Sequence, residues 1–282
     1  MVIKSFAKIN LSLKITGRRE DGYHDLQMVN LPIELHDVIE LDTLPYYNDT
    51  YITCDDMLLM SARSNLCTRA VAMMREHYNF KENFMIHIHK EIPFSAGLGG
   101  GSSNGAMVMR ALNQMLRLKA SEEDLAKIGV HLGADVPYFF FGKPAKVEGI
   151  GEIITPIAPK HVYHCLIVKP DAGLSTKDVY EASENFEREA IDTDRVIRCL
   201  EEGDELGVAR AMGNDLFRPA VSLCPVVGEI VGRLRKDGFP IAAMSGSGSS
   251  VFALSLDQKK LKEEAKIFER LGHQVILTKT MK

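Results

Sequence analysis

The sequence predicts an α+β protein of two domains, and three observations carry that expectation. Segments with period-two apolar alternation are grouped apart from segments with helical periodicity, where a strictly alternating α/β chain would interleave them. The chain has 282 residues, more than an ordinary single domain. Glycines and prolines between Gly142 and Pro159 interrupt two apolar-rich halves and set a boundary near residue 155, with domains over 1–155 and 156–282.

The elements follow in order. Phe6, Ile9, Leu11, Leu13 and Ile15 lie among polar residues with period two from Ile9 onward, and "GRREDGYH" then reads as a turn closing on Asp21-Gly22. Apolar runs over Leu31 to Leu35 and Val38 to Leu41 extend a β-rich first third. Leu66, Ala70, Met73 and Met74 recur at helical spacing, which predicts a helix to about Tyr78 capped by Ser64 or Asn65. "NFMIHIHKEIP" alternates again, with Phe84, Ile86 and Ile88 on one face and Met85, His87 and His89 on the other. A glycine-rich loop follows, then a helix from about Ser103 to Leu118 and a second one from Ser121, where Asp124 completes a capping box and Gly133 marks the end. "VPYFFF" reads as a buried strand.

In the second half, strands are expected at Cys165 to Val168, Ile241 to Met244, Val251 to Leu254 and Gln274 to Thr278. Helices are expected near Thr176 to Glu184, Asp194 to Leu200, Val226 to Leu234 and Leu261 to Leu271.

Composition narrows the functional classes. Apolar residues make up 45% and charged residues 26%, enough for a sizeable core and unlike a disordered chain. A net charge of −4 gives no general attraction for nucleic acid or an anionic membrane, so an anionic ligand must be held by local features. Five scattered cysteines form no C-x-x-C pair, which favours neither a disulfide framework nor zinc and fits a reducing cytoplasm. No signal peptide or membrane-length apolar run is evident. The two histidines of "HIHK" share a strand face, but no third ligand is evident and they read as exposed strand residues.

The stretch from Gly97 to Gly101 holds four glycines and is followed by Ser102 and Ser103. Glycine permits positive φ and close backbone approach, and the first N–H groups of the following helix are unpaired and partly positive. These properties suit phosphate, and the two serine hydroxyls could add hydrogen bonds or reach Mg²⁺. A strand-to-helix turn without a ligand is the competing reading. A Walker A loop is excluded because Gly101 is followed by Ser102 where lysine is required, and a dinucleotide fingerprint from Gly97 fails at the same serine.

The stretch "PFSAGLGGGSS" resembles the central motif of the GHMP kinases, a family of small-molecule kinases. "AKINLSLKITGRREDGYH", "GADVPYFF" and "MSGSGSSVFAL" are similar to other motifs of that family, in the right order from Ala7 to Leu254. The resemblance implies an N-terminal ATP domain with a left-handed βαβ unit, a ferredoxin-like C-terminal domain and a cleft active site. The motifs are most similar to the branch acting on a cytidine diphosphate-linked methylerythritol. For that branch the expected reaction is phosphorylation of the 2-hydroxyl, with ATP and Mg²⁺, in non-mevalonate isoprenoid biosynthesis. Another GHMP kinase of mevalonate or homoserine type, or a non-catalytic nucleotide binder on this fold, is the alternative.

The site residues are implied by the same resemblance. Asp135 of "GADVP" is the general base, and Lys8 of "AKIN" orients the hydroxyl and holds the aspartate ionised. Tyr23 and His24 read cytosine by stacking and hydrogen bonding, and Tyr180 covers the other side of the base. Asn10, Thr176, Gly246 and Gly248 complete the substrate side. Asn65 and Lys90 lie near adenine, and Pro93, Phe94, Ser95, Ala96, Gly97, Leu98, Gly99, Gly100, Gly101, Ser102 and Ser103 form the ATP loop. The Mg²⁺ ligands are not implied, and a monomer or weak homodimer is expected. Two departures stand out: Asn104 and Gly105 follow the loop where the family continues Ser-Ser-Asp-Ala, and Phe6 replaces a proline before "AKIN".

Overall fold

A computed structural model describes residues 1–20, 22–45, 49–55 and 65–282. The chain opens with two long strands, β1 (Val2–Arg18) and β2 (His24–Thr43), with Gly22 between them at φ 87°, an angle free to glycine and costly to other residues. Asp21 and Ser64, expected in the turn and at a helix cap, lie outside the described residues. There follow β3 (Tyr51–Cys54), α1 (Leu66–Tyr78), β4 (Phe84–His89), α2 (Gly100–Met115), α3 (Glu122–Gly129), α4 (Val136–Phe141), β5 (Ala145–Gly149) and β6 (Ile153–Pro156). The rest comprises β7 (His164–Lys169), α5 (Thr176–Ser183), α6 (Thr193–Glu202), α7 (Glu205–Ala211), α8 (Phe217–Leu223), α9 (Pro225–Lys236), β8 (Ile241–Met244), β9 (Val251–Ser255), α10 (Gln258–Arg270) and β10 (Gln274–Lys279).

The chain forms two compact units that interleave in sequence. The first takes Met1–Ala7, Leu35–Phe94 and Gly99–Gly142, and the second takes Lys8–Glu34, Ser95–Leu98 and Lys143–Lys282. A single cut at residue 155 therefore does not describe this division, because strands of 17 and 20 residues are long enough to contribute to both cores.

In the first unit β4 runs antiparallel to residues 38–43 of β2 and parallel to β3. Helix α1 lies in the connection between the parallel strands, so β3, α1 and β4 make a βαβ unit. Phe84, Ile86 and Ile88 are buried and the alternate residues are not, as period two requires.

Three expectations are corrected here. "VPYFFF" is helix α4, with Pro137 in the first turn, where a missing N–H costs nothing, and Gly142 at the end with φ 64°. Burial of five of its six residues erased the helical periodicity that would have marked it. Helix α2 starts at Gly100, ahead of the expected Ser103, because close packing against Ile92 overrides glycine's weak helix propensity. It also ends at Met115, short of Leu118, while α3 ends at Gly129, short of Gly133. The Ser121–Asp124 capping box forms as read.

The second unit contains a sheet of order β10-β7-β9-β8 with every neighbour antiparallel. Helices separate β7 from β8 and β9 from β10, while β8 and β9 follow directly, which is the ferredoxin-like arrangement. Here too β5 pairs with residues 26–30 of β2 and with β6. Among the described residues no helix is long and apolar enough to cross a membrane.

Buried Asp215 ties β1 into this unit. Its two carboxylate oxygens accept from Ile15 N at 2.7 Å and Glu189 N at 2.9 Å. Removing the carboxylate strands two backbone donors, so Asp215→Ala is expected to lower unfolding free energy by about 1–3 kcal/mol, measured by urea denaturation.

Candidate active site

Three sequence segments that lie far apart in the chain converge in the second unit. The Lys8 backbone N–H donates to Leu98 O at 3.0 Å, which lays the start of the glycine loop along β1. Asn10 N donates to Ser245 Oγ at 3.2 Å, and that hydroxyl donates to Gly97 O at 2.8 Å. Ser250 N reaches Ala96 O at 3.3 Å. Lys8, Asn10, Ala96, Gly97, Leu98, Gly246 and Gly248 are thus brought together. Lys8 is 3% exposed, and its ammonium donates to Asn10 Oδ1, whose amide nitrogen donates to Asn30 Oδ1 at 2.7 Å. A buried ammonium is costly unless hydrogen bonds and anions surround it, so this position suits a cation meant to face negative charge.

The glycines here answer to geometry. Gly97 has φ 70°, and a Cβ on it would lie 1.9 Å from Ser245 O. Gly246 and Gly248, at φ 56° and 82°, turn the chain back between β8 and β9. Thr176 Oγ1 lies 2.9 Å from Ser247 Oγ in the same turn.

In the first unit Gly99, at φ 71°, caps α2 without a side-chain bond, and no acidic residue stands in the helix's first turn. The N–H groups of that turn therefore present an unopposed positive helix end. Ser102 is half-buried, whereas Ser103 turns inward and its hydroxyl lies 2.7 Å from Ser5 Oγ. Pro93 is half-buried, Phe94 is 68% exposed, and Ser95 takes φ 48°. Asn65 caps α1, accepting from Cys67 N at 2.9 Å.

Lys90 is held by a residue that sequence reasoning missed. Asp37 is fully buried and pairs with the Lys90 ammonium. It also accepts from Glu91 N at 2.9 Å, Ile92 N at 2.8 Å and Asn104 Nδ2 at 2.9 Å. Gly105 is explained in the same region, since a Cβ there would sit 2.9 Å from Leu132 Cδ2. Asp37 carried no signal in sequence because an aspartate at a strand position reads as solvated until its neighbours are known.

The residues expected to read cytosine belong to the second unit. His24 and Tyr180 are stacked, with ring centroids 5.1 Å apart and planes at 28°, while Tyr23 is 55% exposed. His24 lines an open cavity of about 400 Å³ together with Ile15, Thr16, Gly17, Arg18, Glu184 and Arg188. Burial, then the charges of Arg18 and Arg188, lower its pKa below the ordinary 6.5. The imidazole is therefore neutral at neutral pH, with a donor and an acceptor nitrogen. Arg18 and Arg188 were not foreseen, because exposed arginines have no distinguishing pattern.

Asp135 stands at the N-cap of α4 in the first unit, half-buried, without spending its side chain on the cap. Lys8 belongs to the second unit.

The glycine positions make a paired expectation. Gly97→Ala meets Ser245 O and a positive φ, and is expected to destabilise the protein by more than about 1 kcal/mol. At Gly101 a Cβ would have only Leu66 Cδ1 at 3.6 Å, so Gly101→Ala leaves the urea midpoint unchanged or slightly raised. Equal midpoints for the two variants would remove the packing argument.

Comparison with known proteins agrees with this geometry. The family description "GHMP kinases N terminal domain" matches residues 65–143, and "GHMP kinases C terminal" matches residues 196–275. The chain is 38% identical over 254 residues to a 4-diphosphocytidyl-2-C-methyl-D-erythritol kinase of Clostridium perfringens strain 13, covering 90% of this chain and 88% of that one. It is 39% identical over 264 residues to the protein of the same name from Clostridium botulinum strain Hall, covering 92% of each. A crystal structure of 4-(cytidine 5'-diphospho)-2C-methyl-D-erythritol kinase superposes with a TM-score of 0.81 at 30% identity over 100% of both chains. A homoserine kinase from Cytophaga hutchinsonii, at 17% identity and TM-score 0.72 over 99% of this chain and 94% of that one, shares the fold. With its phosphate-ready helix end, its converging glycine turns and these likenesses along nearly its whole length, the chain belongs to the GHMP kinases.

Proposed function

We propose that the chain transfers the γ-phosphoryl group of ATP to the 2-hydroxyl of 4-diphosphocytidyl-2-C-methyl-D-erythritol, giving ADP and the 2-phosphate for isoprenoid biosynthesis. The observation that carries the choice of substrate is the neutral His24 stacked on Tyr180 beside the Arg18 and Arg188 cavity. An aromatic platform and a neutral imidazole suit a pyrimidine, and two guanidinium groups suit the diphosphate that follows it.

The ATP phosphates would sit at the N-terminal turn of α2, where the first N–H groups lack helical partners and no acidic residue stands in the turn itself. Asn65 and Lys90 would border the adenine. Mg²⁺ would supply charge neutralisation on the transferred group, and Ser102 is the hydroxyl of this loop that would help to hold it. Asp135 would take the proton of the 2-hydroxyl as its oxygen attacks the γ-phosphorus and the bond to ADP breaks. Lys8 would orient that oxygen and stabilise the charge that develops. Binding energy and positioning supply the rate, with no phosphoenzyme. A monomer or weak homodimer in a reducing cytoplasm suits the five free cysteines.

Two measurements test this reading. In an ADP-release assay with a panel of alcohols, the cytidine diphosphate substrate is expected to turn over and mevalonate and homoserine are not; the reverse pattern overturns the assignment. Asp135→Asn is expected to lower kcat by at least about 10²-fold, the scale of a lost general base, while ATP binding survives. Unchanged turnover would remove Asp135 from the chemistry.

The pH dependence follows from His24. Because its pKa lies below 6.5, the reading form persists as pH falls to that value and is lost only at more acid pH. KM for the cytidine substrate is therefore expected to stay flat from pH 8 to 6.5 and rise below, whereas a break above 6.5 would show that neutral His24 is not the reader.

A further inference from the structure

The exposed face of the first unit's sheet carries an arrangement that the kinase chemistry does not use. His87 and His89 lie on the solvent side of β4, and the strand pairing brings Asp55, just beyond the end of β3, between them. His87 Nε2 lies 3.1 Å from Asp55 Oδ1, and His89 Nδ1 lies 3.1 Å from Asp55 Oδ2. One ligand atom from each of the three residues falls within 4.8 Å of the others. Sequence reasoning found only two of the three, because Asp55 is 32 residues from His87 and meets it through the parallel β3–β4 pairing.

The outer partners complete the pattern. The other nitrogen of His87, Nδ1, lies 2.8 Å from Thr53 Oγ1, and the other nitrogen of His89, Nε2, lies 3.3 Å from Glu40 Oε1. Each ring thus has one nitrogen aimed at the shared carboxylate and the second anchored to an oxygen. This is how histidine ligands are oriented at metal centres, where the outer oxygen selects the tautomer and raises ligand basicity. A tetrahedral ion with ligands at about 2.0–2.1 Å holds them about 3.3 Å apart; each histidine nitrogen lies 3.1 Å from a different oxygen of Asp55, and one ligand atom of each residue lies within 4.8 Å of the others, so small side-chain rotations bring the three onto one ion. Asp55 and Glu40 place two carboxylates against the two imidazoles, a donor set that suits a divalent cation.

We propose that Asp55, His87 and His89 form a binding site for a divalent transition metal of the Zn²⁺ class, with Glu40 and Thr53 orienting the histidines and water completing the coordination. Imidazole with a single carboxylate favours such an ion over Mg²⁺, which prefers an all-oxygen shell. The site is distinct from the Mg²⁺ expected with ATP, since it lies on the face of β4 opposite the buried residues Phe84, Ile86 and Ile88. Its effect would be to clamp β3 to β4 by a link between side chains.

The test uses the full chain, stripped of metal with a chelator and free of nucleotide. Zn²⁺ titration by calorimetry is expected to give one ion per chain, and Co²⁺ in its place is expected to give visible d–d absorption without a thiolate charge-transfer band. His89→Ala and Asp55→Ala should each weaken Zn²⁺ binding at least 100-fold, with circular dichroism confirming the fold. Glu40→Gln, a conservative exposed change, should weaken it about 10-fold. Absence of a one-to-one site, equal affinity in the wild type and all three variants, or a cobalt–thiolate band that disappears in Cys54→Ser would each overturn the proposal.

Discussion

The close approach of Gly97 to the carbonyl of Ser245 is the constraint on which the converging turns of the second unit depend. With space for no side chain between them, the segment Ser95–Leu98 lies directly on the turn between β8 and β9. Ser245 then serves two masters, accepting from Asn10 N and donating to Gly97 O, while Asn214 holds the turn by donating to Met244 O and Gly246 O. Every one of these groups is a backbone atom or a short polar side chain in a buried place. These bonds hold the turn in place, because displacing it would leave buried polar groups unpaired.

A second buried knot organises the other unit. Asp37 would be expensive to bury alone, since an isolated carboxylate away from water is strongly disfavoured. Four donors offset that cost: the Lys90 ammonium, two backbone N–H groups and the amide of Asn104. The arrangement fixes the path of the chain from β4 into the glycine loop. It also accounts for Asn104 after that loop, because an amide at this place donates to Asp37 where a second carboxylate could not. Gly105 has a separate reason, the close packing of Leu132 and Leu66 against its Cα.

A homoserine kinase at 17% identity and a mevalonate kinase from Methanococcus jannaschii at 15% share this architecture with TM-scores of 0.72 and 0.71. The strand order of a ferredoxin-like sheet and a helix opening on glycines can thus be built from very different sequences. In this chain one open cavity is lined by His24, Arg18 and Arg188, with Tyr180 stacked on His24.

Much of this was legible in the sequence. Alternation marked β1 and β4, continuous apolar runs marked β7, β8 and β9, helical spacing marked α1, α6 and α10, and Ser121 with Asp124 announced α3. Several other short elements were not legible. The helix α4 hid its period by burying nearly every residue, and β3, β5, β6, α7 and α8 are too short or too polar to show one. The motifs named Lys8, Asp135 and the glycines by chemical type, but only tertiary structure decided what each glycine is for and that Ser103 faces inward to Ser5. It alone revealed Asp37 behind Lys90 and Asp55 between two histidines. The physical reason is the same in each case: local pattern records how a residue meets solvent, whereas a partner many residues away is chosen by strand pairing and packing.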